Sequence, residues 1–291
     1  MSLPPPPVVP NCYRHPNREA GRSCTRCGKP ACSECLVQAA VGSHCLDCAK
    51  AARPDAATRV RLASSRFAAP VTYAIIVMNL VVFVWIIASS GSGFSGGLTQ
   101  GHVDLGLSKA ILQGRTRYGD VPIPAHQWYR LITSGFIHFG VFHILMNMLL
   151  LFQLGNLLER ALGGVRFGLL YAACLLAGSL GVLIIDGNGI TGGASGAVFG
   201  LMAAAAVGLQ RRGINVFSTG IGTTLLINLV LTFSIRGISI GGHLGGVVGG
   251  AICGWFMLAP AWKKQPKWTG MAVPATVAVL SIIASVLLVT A

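Results

Sequence analysis

Gly193-Ala194-Ser195-Gly196-Ala197-Val198-Phe199-Gly200-Leu201-Met202-Ala203-Ala204 opens an apolar stretch that runs on to Leu209 without a charged residue. Its reading decides the fold. Gly196-x3-Gly200-x3-Ala204 is one small-residue face of a helix, the pattern that lets two helices reach near-backbone contact in a bilayer. A serine hydroxyl stands at its head. A later apolar segment opens on Gly242-His243-Leu244-Gly245-Gly246 and carries Gly246-x3-Gly250 along one face. A serine and a histidine inside hydrocarbon-length segments, on helices able to touch, point to nucleophilic catalysis within a membrane.

The rest of the chain bears on the membrane half of that idea. Of 291 residues, 53% are hydrophobic and only 10% charged, and the mean hydropathy is +0.67, whereas soluble domains carry about 25% charged residues. An ordinary soluble globule is excluded. Apolar runs at 70–89, 139–158, 167–185, 195–210, 214–235, 241–260 and 271–290 each approach the roughly 20 residues a bilayer requires. They predict an all-α polytopic membrane protein of seven transmembrane helices.

Charge sets the expected orientation. With the N-terminus inside, the cytoplasmic side holds 17 basic residues: the ten before residue 70, Arg160, Arg166, Arg211, Arg212, Lys263, Lys264 and Lys267. The other side holds five, Lys109, Arg115, Arg117, Arg130 and Arg236. The positive-inside rule therefore predicts a multi-pass protein of the cell membrane with a cytoplasmic N-terminal region and its C-terminus outside. The connection from 90 to 138, glycine-rich over Gly91 to Gly97 and carrying Trp128 and Tyr129, reads as an external loop lying partly in the interface.

The first quarter is a different kind of polypeptide, with ten of the 22 Lys and Arg and seven of the nine Cys. Residues 1–10, MSLPPPPVVP, have neither the basic start nor the apolar core of a secretory signal and read as a solvated proline-rich tail. Within 11–50, Cys12-x2-His15, Cys24-x2-Cys27, Cys32-x2-Cys35 and Cys45-x2-Cys48 form four knuckles. A two-residue gap lets both side chains of a knuckle reach one tetrahedral metal, so eight ligands suffice for two structural zinc ions. A disulfide framework would need an oxidising compartment and is disfavoured by His15 in a knuckle position. Sequential and interleaved pairing both satisfy tetrahedral geometry. The segment from Cys12-Tyr13-Arg14-His15-Pro16 through Cys35 resembles a B-box-type zinc finger, which implies interleaving of first with third and second with fourth. His44 beside Cys45 is an alternative ligand. A module this small has little core beyond its metal. A protein partner is the expected role, anionic lipid a second, and nucleic acid is disfavoured. Residues 51–69, with Arg53, Arg59, Arg61 and Arg66, form a basic linker suited to anionic lipid.

Depth can be read along the helices. At 1.5 Å per residue, Ser195 lies roughly 24 Å from Arg211, His243 roughly 30 Å from Lys263, and His143 and Asn147 roughly 26 and 20 Å from Arg160. All four fall in the outer half on three helices of one direction, and polar groups at a common depth suggest a common site. A neutral histidine suits the task of taking the serine proton. Glu159 lies at the cytoplasmic end of its helix and Asp186 in an external loop, so a Ser-His dyad is expected. His143 and Asn147, spaced i, i+4, share a face and suit an oxyanion hole. Cys174 and Cys253 read as packing residues.

Trp128-Tyr129-Arg130, His138-x4-His143-x3-Asn147, Glu159-x3-Gly163, Gly193-x-Ser195-Gly196 and His243-x2-Gly246-x3-Gly250, in this order, resemble the rhomboid intramembrane serine proteases over about residues 70–260. The resemblance implies a six-helix rhomboid core over 70–260, followed by a loop and one C-terminal transmembrane helix in 261–291. It implies Ser195 as nucleophile and His243 as general base, with His143, Asn147 and the Ser195 N–H as oxyanion hole. Trp128 and Arg130 would brace the site from the external loop and Glu159 the cytoplasmic end, with His138, Gly193, Gly196, Gly246 and Gly250 as further motif positions. Many bacterial members carry Tyr one turn after the serine, stacked on the histidine. Phe199 stands there in this chain, so stacking is retained without the hydroxyl.

The function implied is endoproteolysis of transmembrane protein substrates near the outer face of the lipid bilayer, through an acyl-enzyme and without a catalytic cofactor. The alternatives are a catalytically silent rhomboid relative that binds membrane proteins, and a metal transporter using His138, His143 and His243. The transporter reading lacks the intramembrane carboxylates such a pathway uses.

Overall fold

The computed structural model describes residues 9–39, 41–53, 55, 69–90, 97–118, 121–235, 237–260, 266 and 268–291. The proline tail up to Val8, Arg59, Arg61 and Arg66 of the basic linker, Gly91 to Gly96, Arg236, Lys263, Lys264 and Lys267 lie outside the described residues. The chain divides into two units, Met1–Phe67 and Ala68–Ala291.

The first unit is built on two short antiparallel pairs, β1 (Arg22–Ser23) with β2 (Pro30–Ala31), and β3 (Leu36–Gln38) with β4 (Ser43–Cys45). A six-residue helix α1 (Leu46–Ala51) follows. Hairpins of this length do not persist alone in water. What they pack on is minimal: Cys12, Ala31, Cys32 and Cys35 are buried, with Tyr13, Leu36 and Leu46 against them. The ion pairs Arg18–Glu34 at 2.6 Å and Lys29–Asp47 at 3.3 Å are exposed and contribute little.

The second unit is helical. α2 (Pro70–Ser90) begins on a proline, which loses no helical hydrogen bond at a first position. Short elements follow: α3 (Gln100–Leu105), α4 (Lys109–Leu112), the hairpin β5 (Arg117–Tyr118) with β6 (Val121–Pro122), and α5 (Arg130–Thr133). Then come α6 (Val141–Leu162), α7 (Gly164–Ile185), α8 (Ser195–Gln210), α9 (Ile221–Ser234), α10 (Ile240–Met257) and α11 (Thr269–Thr290). Among the described residues five helices, α2, α6, α7, α10 and α11, are long and apolar enough to cross a membrane, while α8 and α9 are shorter apolar helices. This is the make-up of a multi-pass membrane protein. Large apolar side chains stand exposed on its rim, such as Val81 and Val84 of α2, Val230 and Phe233 of α9, and Leu280 and Leu287 of α11. Water would penalise such a surface and hydrocarbon does not.

The core lies around α8, which is buried almost continuously from Ala197 to Ala205 and is flanked by α6, α7, α9 and α10. Close approach explains the glycines. A Cβ on Gly246 would lie 1.9 Å from the Gly196 carbonyl oxygen, and one on Gly250 2.0 Å from that of Gly200, so α8 and α10 meet backbone to backbone.

Helix ends differ from the apolar runs where backbone chemistry intervenes. The run read from 214 becomes helical only at Ile221. Asn215 Oδ1 accepts from Phe217 N at 2.9 Å, and Ser218 and Thr219 donate to the Asn215 and Val216 carbonyls at 2.7 Å each. These local bonds compete with a helix until Gly220 at φ 78°. α6 starts at Val141 rather than 139, after Gly140 at φ 92°, and runs on to Leu162.

Candidate active site

The segment ahead of α8 is held from both sides. Gly193 N donates to Ser134 O at 2.8 Å, and Ala194 N to His138 Nε2 at 3.4 Å. Leu107 and Thr191 exchange backbone bonds of 2.9 and 2.8 Å, tying this segment to the loop after α3. Gly193 adopts φ +135°, a conformation an L side chain avoids. A Cβ there would lie 2.9 Å from His143 Nε2 and 3.7 Å from Ser195 Oγ, so the glycine leaves open the space between those two groups.

Ser195 is the first residue of α8. Its N–H has no carbonyl one turn back to bond, and the helix N-terminus carries partial positive charge. Its Oγ lies 2.8 Å from His243 Nε2, a contact between residues 48 apart in the chain. His243 is held on three sides. The Phe199 ring stacks on it at 3.9 Å between centroids and 18° between planes, and its Nδ1 lies 2.7 Å from Thr232 Oγ1 on α9. Only 6% of His243 is exposed.

The start of α10, which carries His243, is fixed by Asp186. Its carboxylate accepts from Gly241 N at 2.8 Å and from the Ser239 hydroxyl, while Ser239 Oγ caps the helix by accepting from Gly242 N at 2.9 Å. Asp186 thus anchors the helix that carries His243 and makes no bond to the imidazole.

His143 and Asn147 stand one turn apart near the start of α6. Phe139 N donates to His143 Nδ1 at 3.3 Å, which leaves Nε2 as the protonated nitrogen on the Gly193 side. Asn147 is buried, and one of its amide hydrogens goes to His143 O at 2.9 Å. His138 is fully buried and its carbonyl lies 3.1 Å from His102 Nε2. A cavity of about 40 Å³ beside Ser195 is walled in part by Ser134, Ser179, Thr191 and Ser239. A cavity of about 10–15 Å³ already holds one water molecule.

Arg130 and Glu159 act away from these groups. The buried Arg130 guanidinium donates to Val103 O at 2.5 Å, Gly106 O at 2.7 Å and Gln127 Oε1 at 2.7 Å, gathering the loop elements around one cation. Trp128 is half-buried against the core and stacks on His126. Glu159, near the far end of α6, accepts from Val71 N at 2.9 Å and from Thr72 N and Thr72 Oγ1 at 2.7 Å each. One carboxylate thereby satisfies donors at the start of α2 that the helix leaves free.

In the first unit two groups of side chains could each hold a metal ion: Cys12, His15, Cys32 and Cys35, and Cys24, Cys27, Cys45 and Cys48, with ligand atoms within 4.8 Å of one another. The first knuckle groups with the third and the second with the fourth. His44 lies in β4 and belongs to neither group. A tetrahedral zinc site has S···S edges of about 3.8 Å and S···N edges of about 3.6 Å. Cys27 and Cys45 sulfurs lie 3.7 Å apart, and His15 Nδ1 lies 3.4, 3.4 and 3.9 Å from the sulfurs of Cys32, Cys35 and Cys12. The donor set fits such an ion. Burial pushes the Cys12 thiol up, but the backbone donors of Cys32, Arg14 and His15 outweigh it and leave its pKa at about 6.

Thr232, Asp186, Ser239 and His102 escape the sequence reading as members of the site. Thr99-x2-His102 carries the form of a capping box, but no spacing in the chain pairs Thr232 with His243.

Similarity to known proteins centres on these same elements. The family model of the Rhomboid domain matches residues 125–260. The rhomboid protease GluP of Bacillus subtilis is 34% identical over 43% of this chain and 25% of its own length. RHOMBOID-like protein 1 of Arabidopsis thaliana is 35% identical over 51% of this chain and 40% of its own. The rhomboid YdcA of Bacillus subtilis is 34% identical over 49% of this chain and 72% of its own. The chain thus spans between a quarter and two fifths of the length of the first two relatives.

Proposed function

The chain belongs to the rhomboid family, and from that premise we propose that it is an intramembrane serine endopeptidase that cleaves transmembrane protein substrates with Ser195 and His243. The observation that carries this reading is the 2.8 Å contact between Ser195 Oγ and His243 Nε2. Ser195 Oγ attacks the scissile carbonyl carbon while its proton passes to His243 Nε2. The developing oxyanion takes hydrogen bonds from Ser195 N–H at the head of α8 and from His143 Nε2–H, with the second amide hydrogen of Asn147 as a third donor. The intermediate collapses, His243 returns the proton to the leaving amine, and the acyl-enzyme remains. A water admitted from the cavity beside Ser195 then attacks the ester carbonyl, giving a proton to His243; the second tetrahedral intermediate breaks its bond to Ser195 Oγ, which takes that proton back as the carboxylic acid product leaves. None of these steps requires a metal or organic cofactor.

Helix length supports cleavage inside the bilayer. α8 has 16 residues, roughly 24 Å at 1.5 Å per residue, whereas the hydrocarbon core is about 30 Å thick. With Arg211 and Arg212 at one surface, Ser195 lies several ångströms below the other. By the charge asymmetry the arginine surface is cytoplasmic, the first unit lies inside the cell and the C-terminus outside. The substrate is then a transmembrane segment cut near its outer end.

The first unit, as a B-box-like module over 11–50, holds two structural zinc ions that serve as its core and not the chemistry. Its expected ligand is a protein. The domain scheme is this module, a basic linker over 51–69, the protease core over 70–260, and a loop with one further helix over 261–291.

Proteomic comparison of membrane proteins shed by cells carrying the wild type or Ser195→Ala tests the function. Fragments that appear only with wild type, cut within or beside a transmembrane segment, are expected. Identical shed sets would contradict it and favour the catalytically silent, client-binding alternative.

A further inference from the structure

We propose that Thr232 is a positioning residue that holds His243 in the tautomer and orientation of a general base. The arrangement is then a Ser195–His243–Thr232 chain of hydrogen bonds ending on a neutral hydroxyl. This rests on the reading of Ser195 and His243 as the catalytic pair.

Thr232 Oγ1 lies 2.7 Å from Asn228 O, which can only accept, and 2.7 Å from His243 Nδ1. A hydroxyl has one hydrogen. With that hydrogen given to the Asn228 carbonyl, the hydroxyl oxygen accepts from Nδ1–H. The imidazole is then protonated at Nδ1, and Nε2 presents its lone pair to the Ser195 hydroxyl 2.8 Å away. That is the tautomer a base needs; the other would place a hydrogen between Nε2 and Oγ and leave nothing to take the serine proton.

A serine or threonine bonding the carbonyl four residues back is ordinary within helices, and Ser234, Ser281 and Ser285 do so here. That habit accounts for the bond to Asn228 and not for the one to His243. Nor does core packing place Thr232. α9 buries only Gly222 and Thr232, and Leu226, Ile227, Val230, Leu231 and Phe233 stand exposed. Thr232 is 2% exposed because it faces the histidine.

The chemistry explains why a hydroxyl serves. A carboxylate at this depth would have to be desolvated in hydrocarbon, at large cost. A threonine orients the ring and stabilises the transient imidazolium by a dipole without placing a standing charge there. The base is thereby tied to the position of α9: a shift of this helix withdraws the acceptor from Nδ1.

The test uses the full chain in liposomes with a transmembrane substrate, and compares wild type with Thr232→Val, Thr232→Ser and Thr232→Ala. Thr232→Val keeps the shape and removes the oxygen. It is expected to lower kcat about tenfold or more, leave KM within about twofold, and slow fluorophosphonate labelling of Ser195 in parallel. Thr232→Ser is expected to restore kcat to within about threefold of wild type, although it removes the same methyl group as Thr232→Ala, which should stay slow. Thr232→Ala also stands in if the valine variant fails to fold. Wild-type kcat in either hydroxyl-free variant, or a serine variant as slow as alanine, would overturn the positioning role. Wild type that neither cleaves nor labels would overturn the catalytic reading itself, and with it this proposal.

Discussion

The Cys/His head and the membrane unit gather polar side chains by opposite routes. In the head, each knuckle brings its two ligands together across a two-residue gap, and two short hairpins need only fold knuckle onto knuckle. In the membrane unit, Ser195 and His243 are 48 residues apart and sit on different helices. They meet because glycines at 196, 200, 246 and 250 let α8 and α10 touch backbone to backbone. The first site is local and its ligands are the core. The second is distributed, and the core exists without it. A site of the first kind should fail together with its fold, whereas one of the second should lose function with its fold intact.

The largest effect is expected from removing the zinc proposed for the head. A structural zinc is worth roughly 10–16 kcal/mol to a module of this size. Strong chelation is therefore expected to open the head and expose its seven cysteines to maleimide, with Ser195 labelling changed by less than about twofold. Unreactive thiols after chelation would show that the head has a core of its own.

Next in size is Gly246→Val. Its side chain would enter the Gly196 carbonyl, where even a Cβ lies at 1.9 Å. The expected cost is about 3 kcal/mol or more, with activity lost because the helices that carry serine and histidine part. Thermal unfolding in detergent measures it, and an unchanged midpoint would contradict the close approach.

The smallest effect is expected at Glu159. Glu159→Gln keeps the shape but gives up charge-assisted bonds to Val71 and Thr72. It should lower stability by about 1.5–3 kcal/mol and leave the labelling rate of Ser195 unchanged, since Glu159 sits at the other end of α6 from His143 and Asn147. A labelling rate that falls with the melting temperature would show that the two ends of the helix are coupled.

Much of this is legible in the chain because it obeys short-range rules. Knuckle spacing, apolar runs and the small-residue faces around Gly196 and Gly246 are periodic or local, and the charges of Arg211 and Arg212 mark a helix end. What escapes is set by tertiary contact. Thr232 looks like any threonine in an apolar helix until α9 lies beside His243. Asp186 reads as a loop carboxylate, and only the fold shows it anchoring Ser239 and Gly241. The start of α9 at Ile221 is missed for another reason: the polar turn from Asn215 to Gly220 sits inside a run that hydropathy averages over. The interleaving of the head is intermediate, since spacing permits two pairings, the B-box resemblance implies one of them, and the proximity of the ligand atoms bears it out.

The most direct test of the central claim is to label the purified full chain with a fluorophosphonate and identify the modified peptide by mass spectrometry. The account predicts one adduct, on Ser195, formed by wild type and lost in both Ser195→Ala and His243→Ala. An adduct on another residue, or labelling that survives either substitution, would contradict it.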